Sequence, residues 1–315
     1  MELKYLSEQQ VNELLDMKTC IGLMKDVFTA FAEGKMENKL RSVFPVEAGK
    51  IFGIMSAVVP TEDVCGAKLI TVFHSNHEKG LPSHLGVVAV FSTEDGQLLG
   101  LCDGTAITAI RTGAVSAVAT ELLSRKDSNT MCLIGGGVQA DMHLKAITLV
   151  RDIKKVTVWC PTLAESERFC ESHKAQYPGI EFIPCENCED AVKDADIINT
   201  VTPSPVPVLF GKWVKKGAHI NAVGACSKTT RELDSECVAN AKLFCDNYDS
   251  CRNEAGDYLF PLNEGVIKES HLLGDLAEVI SGKVETRTSE NDITIFESQG
   301  LACEDVVCAA WLLKQ

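Results

Sequence analysis

Apolar positions recur with helical spacing from Ser7 onward, and the pattern predicts one amphipathic helix over 7–33, N-capped by Ser7 and stopped at Gly34. From residue 40 the pattern changes to short apolar runs broken by glycine and proline. Ile51–Val59, Ala67–Phe73, Gly86–Phe91 and Leu98–Cys102 read as strands of a mixed or antiparallel sheet, with Glu94-Asp95-Gly96 as a hairpin turn. A helix rich in small residues follows over 105–124. Beyond residue 130 strands and helices alternate. The strands are Met131–Ile134, Val156–Cys160, Glu181–Ile183, Ile197–Thr202, His219–Val223 and Lys242–Asp246; helices lie over Val138–Val150, Leu163–Tyr177 and Asn187–Asp194. That alternation predicts a parallel, doubly wound sheet. Residues 296–315 read as a last apolar helix that returns to the first part of the chain. The expected fold class is α/β, a doubly wound parallel-sheet domain with a smaller α+β domain.

The 315 residues suffice for two domains of ordinary size. The start, Met1-Glu2-Leu3-Lys4, lacks the pattern of a signal peptide, and no apolar stretch approaches about 18 residues. The expectation is a cytoplasmic protein with no membrane partner. Fourteen cysteines scattered through apolar runs fit a reducing cytoplasm better than a disulfide framework. Cys185 and Cys188 form the only C-x-x-C, without a second pair at zinc-site spacing, and His74, His77 and His84 lack helical i, i+4 spacing. No metal is expected. A net charge of −14 argues against nucleic acid, and it requires any anionic substrate to be met by locally concentrated positive charge.

Gly135-Gly136-Gly137-Val138-Gln139-Ala140 fits G-x-G-x-x-A between a predicted strand and a predicted helix, the context in which that pattern binds a dinucleotide. Gly135 permits the tight turn, Gly137 the approach of a pyrophosphate to the helix N-terminus, and Ala140 close helix–strand packing. The doubly wound domain is therefore expected to be Rossmann-type. An acid at the end of the second strand would accept from the ribose 2′-hydroxyl of NAD. Cys160-Pro161-Thr162 stands there instead, with Glu165 a turn further on and no arginine beside it. Thr162 could donate to a 2′-phosphate, so NADP(H) is favoured, with NAD(H) as the alternative.

Three cations stand among apolar or small residues: Arg41 in Leu40–Pro45, Lys68 in Gly66–Leu69, and Arg111 in Thr108–Gly113. Each alone has an ordinary reading as a surface charge. Lys68 is the least ordinary, because its strand-like neighbours are apolar. Around these residues the chain resembles the ornithine cyclodeaminase/mu-crystallin family nearly end to end. The resemblance is most specific over Arg41–Val46, Asp103–Thr120, Gly135–Ala140, Leu209–Gly224 continuing into Arg231–Asp234, and Phe296–Asp305. It implies a homodimer whose substrate and dimerisation domain (1–115 with 296–315) is interrupted by the NAD(P)-binding domain (116–295). It also implies that Arg41 and Arg111 hold the substrate carboxylate and that Lys68 sits beside the reacting nitrogen. The residue types agree, since an arginine fork suits a carboxylate and a lysine serves as an acid once its pKa is lowered. The expected cofactor contacts are Thr112, Gly135, Gly137, Val138, Gln139, Thr162, Thr202 and Val223, with Ser298 assigned by resemblance alone.

Within that family the resemblance separates two chemistries. Cyclodeaminases carry two carboxylates at positions that are Gly53 and Cys226 here, and neither residue can supply a base for the diamine. The mu-crystallin branch, which reduces cyclic ketimines, resembles this chain at both places. The expectation is NAD(P)H-dependent reduction of a small 2-imino acid such as a pyrroline- or piperideine-2-carboxylate. The alternatives are ornithine cyclodeaminase, an alanine-type amino acid dehydrogenase, and, in another class, a mu-crystallin-like protein binding thyroid hormone.

Overall fold

The computed structural model describes residues 3–315, without the side chains of His74, His77 and Glu78. The histidines considered above as metal ligands thus lie partly outside the described residues. The backbone divides into two compact units, 1–114 with 300–315, and 115–299.

The first unit begins with β1 (Tyr5–Leu6), α1 (Glu8–Leu14), α2 (Met17–Ala32), β2 (Glu37–Asn38), β3 (Ser42–Glu47), β4 (Lys50–Val59), β5 (Val64–Phe73), β6 (His84–Ser92) and β7 (Leu98–Asp103). The single helix expected over 7–33 is two. Asp16 accepts from the Thr19 amide at 2.8 Å, so a second N-cap interrupts an apolar spacing that runs on unbroken. The strands form a seven-stranded mixed sheet in the order β1-β7-β6-β5-β4-β2, antiparallel except for β1 on β7, with β3 paired to β4 outside that order. The stretch 42–47 forms a strand that its composition hides: every residue of β3 is exposed, so no alternation marks it.

Helix α3 (Gly104–Leu123) follows. By length and hydropathy it qualifies as a membrane span, which corrects the expectation that no stretch approaches that length. Within the protein 83% of its apolar window is buried, so it serves as a core helix.

The second unit runs through β8 (Thr130–Ile134), α4 (Val138–Ile147), β9 (Lys155–Trp159), α5 (Leu163–Lys174), β10 (Glu181–Cys185), α6 (Cys188–Val192), β11 (Ile197–Thr200) and β12 (His219–Ala222). It continues with α7 (Ser235–Ala239), β13 (Ala241–Cys245), α8 (Tyr248–Glu254), α9 (Gly256–Asn263), β14 (Leu272–Asp275), α10 (Leu276–Ile280) and β15 (Ile293–Glu297). Its eight strands are all parallel, in the order β10-β9-β8-β11-β12-β15-β13-β14. The chain leaves β8 toward β10, then returns to lay β11 on the other side of β8. That reversal is the switch point at which doubly wound sheets form a crevice beyond their strand ends.

The final helix α11 (Ala302–Leu313) belongs to the first unit and packs on β4, β5, β6 and β7. Its expected extent, 296–315, was too long. Ile293–Glu297 is a strand held on both sides by β12 and β13, and Gly300, at φ +78°, turns the chain before the helix starts.

Candidate active site

In the first unit, residues of β5 alternate between the α11 side and the opposite side of the sheet. Gly66 lets α11 come close: a Cβ there would stand 3.1 Å from Val306 Cγ2. Lys68, two residues on, points the same way and is buried, at 1% exposure. Its Nζ lies 2.7 Å from Asp305 Oδ2 and donates to Thr108 Oγ1 at 3.2 Å. Arg111, on α3, donates from Nη1 to Glu304 Oε2 at 2.8 Å and from Nε to Asp305 Oδ1 at 3.2 Å. Arg41, just before β3, donates from Nη2 to the Gly300 carbonyl at 3.2 Å. A Cβ at Gly300 would collide with the Arg111 guanidinium, so glycine there serves both the turn and the cation behind it. The structure thus gathers Lys68 and Arg111 on one buried pair of carboxylates and ties Arg41 to the turn that leads into them.

Burial lowers the Lys68 ammonium from its ordinary range to about 8. Asp305 opposes that effect, while Arg111 and Arg41 add to it. A lysine tuned in this way gives up or takes a proton near neutral pH.

Glu304 and Asp305 were not singled out from sequence. Their signal is two acids side by side in the first turn of an otherwise apolar helix, both fully buried. Buried carboxylates at such a place require cations.

In the second unit the expected cofactor residues gather at the C-terminal edge of the parallel sheet. Gly135 and Gly137 follow β8, Thr162 follows β9, Thr202 follows β11, Val223 follows β12 and Ser298 follows β15. Thr112 is in the other unit, where its hydroxyl donates to the Thr108 carbonyl at 2.7 Å. Gly135 has φ +114°, and a Cβ on it would stand 3.0 Å from the Val201 carbonyl oxygen. Gly137 is the N-cap of α4; a Cβ there would meet nothing within 4 Å, so the helix start faces open space. Val138 is exposed, and Gln139 Oε1 is a buried acceptor without a hydrogen-bond partner. Ala140 is fully buried. An open helix start and a glycine turn at positive φ together fit a dinucleotide pyrophosphate.

Two features at this edge depart from the sequence reading. Glu232 is fully buried and accepts from the Thr202 amide (2.6 Å), the Thr202 hydroxyl (2.7 Å) and the Gly224 amide (2.7 Å), so it clamps the ends of β11 and β12. The second concerns the end of β9, where no carboxylate was expected. Thr162 and Glu165 form a capping box on α5, which folds the Glu165 carboxylate back to 3.0 Å from the Thr162 hydroxyl. Glu165 is a turn away in sequence but adjacent in space.

The two positions expected to lack carboxylates are plain. At Gly53 a Cβ would stand 3.1 Å from Ile70 Cγ2, and the exposed Cys226 thiol donates to the Val223 carbonyl at 3.3 Å.

A parallel sheet with a glycine turn at its switch point, joined in one chain to a second α/β unit carrying buried cations, defines a two-unit protein of the dinucleotide-binding class. The chain belongs to the ornithine cyclodeaminase/mu-crystallin family, whose model matches residues 1–315. It is 37% identical over 283 residues to the ketimine reductase mu-crystallin of Mus musculus, spanning 90% of this chain and 86% of the mouse protein. Among solved structures it is similar to the Δ(1)-pyrroline-2-carboxylate reductase of Thermococcus litoralis in complex with NADH and L-proline. The TM-score is 0.95, the identity 36%, and the coverage 98% of this chain and 96% of that one. An archaeal alanine dehydrogenase dimer with bound NAD matches at TM-score 0.93 and 30% identity, over 100% of this chain and 96% of that one.

Proposed function

We propose that the protein is an NAD(P)H-dependent reductase of small cyclic 2-imino acids, such as pyrroline- or piperideine-2-carboxylate. The observation that carries this reading is the buried Lys68, held against Asp305 beside Arg111. Arg41 and Arg111 hold the substrate carboxylate, with Arg111 fixed in place by Glu304 and Asp305. Lys68 keeps the imine nitrogen protonated, which makes the neighbouring carbon electrophilic. The nicotinamide, when bound, supplies the hydride. Gly135, Gly137, Val138, Gln139, Thr162, Thr202, Val223 and Ser298 of the second unit are its proposed contacts, with Thr112 from the first. The similarities to a ketimine reductase and to a pyrroline-2-carboxylate reductase support the substrate class. The absence of a carboxylate at Gly53 and Cys226 speaks against a diamine substrate.

The dinucleotide is NADH or NADPH. The solved structures that resemble this chain hold NADH and NAD, and the expectation of NADP(H) rested on the lack of an acid at the end of β9, where the Glu165 carboxylate stands 3.0 Å from the Thr162 hydroxyl.

A homodimer built on the first unit completes the proposal. The face of its sheet turned away from α11 carries Phe44, Phe52, Ile54, Leu69, Leu85 and Val87 in adjacent register, with Phe44, Leu69 and Leu85 exposed. A cluster of apolar residues of that kind on a sheet face, three of them exposed, fits an interface. The fourteen free cysteines support a cytoplasmic location.

The test is a turnover panel with both cofactors. Reduction of cyclic 2-imino carboxylates is expected to be the fastest reaction. Ornithine converted to proline with release of ammonia at a matching rate would falsify the reading, and faster oxidation of alanine would reassign the chain to the amino acid dehydrogenases. No turnover of any of these would leave a binding protein.

A further inference from the structure

The structure assigns the choice between the two cofactors to Glu165, whose carboxylate stands where the 2′-phosphate of NADP(H) would be held, so that the protein selects NAD(H). The inference rests on the second unit being the dinucleotide domain.

Adenosine ribose is read at the end of the second strand of a doubly wound sheet. Here that strand is β9, and the donors beyond it can be followed one by one. The Cys160 amide donates to Ser166 Oγ at 2.9 Å. Pro161 has no amide hydrogen. The Thr162 amide and hydroxyl both donate to Glu165 Oε2, at 3.2 and 3.0 Å. The segment 160–162 therefore has no backbone donor left for a phosphate, and its one hydroxyl is engaged by a carboxylate. A 2′-phosphate would have to displace that carboxylate and face its charge at close range. The ribose 2′-hydroxyl of NAD needs only an acceptor, and Oε1 of Glu165 remains for it because both bonds to Thr162 use Oε2.

Arg168 stands one turn further along α5 and is exposed. It is the cation of α5 nearest in sequence to Thr162.

The test is direct titration of the full-length protein with NADH and with NADPH, read by cofactor fluorescence in the absence of substrate. Wild type is expected to bind NADH about tenfold or more tightly than NADPH, the size of one charge conflict at a partly exposed site. E165Q keeps a capping-box residue at the third helical position, and with it the start of α5. It is expected to tighten NADPH about tenfold while changing NADH less. E165A, which also frees both Thr162 donors, is expected to shift the ratio further toward NADPH. Circular dichroism of both variants controls for the fold. A wild type that prefers NADPH, or a ratio unmoved in both folded variants, overturns the role of Glu165 while leaving the dinucleotide domain standing. Binding of neither cofactor overturns both.

Discussion

Asp305 Oδ2 lies 2.7 Å from Lys68 Nζ, and both side chains are buried, at 0% and 1% exposure. A lysine enclosed in this way would lose its proton without a carboxylate against it. Because Asp305 also accepts from Arg111 Nε, one carboxylate fixes the position of both cations and the charge of one.

The first prediction follows from the sign of that contact. If Lys68 acts as the acid, kcat/KM falls as pH rises through its pKa of about 8. Asp305→Asn removes the influence that holds the proton on, so the falling limb is expected to move to lower pH by roughly 1–3 units. Lys68→Met is expected to lose most turnover and still bind cofactor. A pH–rate profile of Asp305→Asn with an unmoved limb would separate Asp305 from proton control.

The two arginines are expected to fail differently. Arg41→Ala should lower kcat/KM by about 2–4 kcal/mol and cost less stability than Arg111→Ala, because Arg41 is only half-buried whereas Arg111 lies against two buried carboxylates. Arg111→Ala leaves Glu304 and Asp305 buried without the arginine and should also destabilise the protein by about 3–5 kcal/mol. Urea unfolding of the two variants checks this; equal stabilities would mean that the carboxylates relax elsewhere.

Leu69 is 37% exposed at the centre of the apolar sheet face, paired with Ile54 and Val87. Leu69→Glu is expected to convert a dimer into a monomer in sedimentation velocity without changing the circular dichroism spectrum. A wild type that sediments as a monomer would remove the interface.

His143 and His219 are fully buried and bonded within the second unit, to Ser116 Oγ and to Thr294 Oγ1 and Asn221 Oδ1. Burial lowers their pKa values to about 4 and about 3, so between those values and about 6.5 the unfolded chain binds protons that the folded chain does not. Stability is therefore lost as pH falls below about 6.5, by about 1 kcal/mol per histidine at pH 5.5. Thermal melts of wild type and His143→Gln at pH 7 and 5.5 measure the term. A melting temperature that falls equally in both would place the acid sensitivity elsewhere.

The alternating strands and helices and the glycine turn were legible because each follows from local periodicity. Lys68 was legible because a charge stood in an apolar strand. The carboxylate that holds it was not: Asp305 lies more than two hundred residues away, and the only local sign is a pair of acids in the first turn of an apolar helix. Glu165 shows a different limit. Thr162-Leu163-Ala164-Glu165 is a capping-box pattern on its face. Counted along the strand, Glu165 stands a turn too far; the capping box brings its carboxylate back to the Thr162 hydroxyl. The break at Asp16 and the strand over 42–47 were hidden for opposite reasons, one inside a continuous helical spacing and the other where every residue is exposed.

Helix α11 closes the first unit from the far end of the chain. During synthesis, the sheet β1–β7 is made early yet cannot cover its inner face, nor neutralise Lys68, until the last helix has emerged. The second unit is contiguous and carries its own core, so it can fold while the first still waits. The cluster of Lys68, Arg111 and their carboxylates is therefore assembled after the second unit, and a ribosome that stops short of Glu304 leaves a closed parallel-sheet unit attached to an open, apolar sheet.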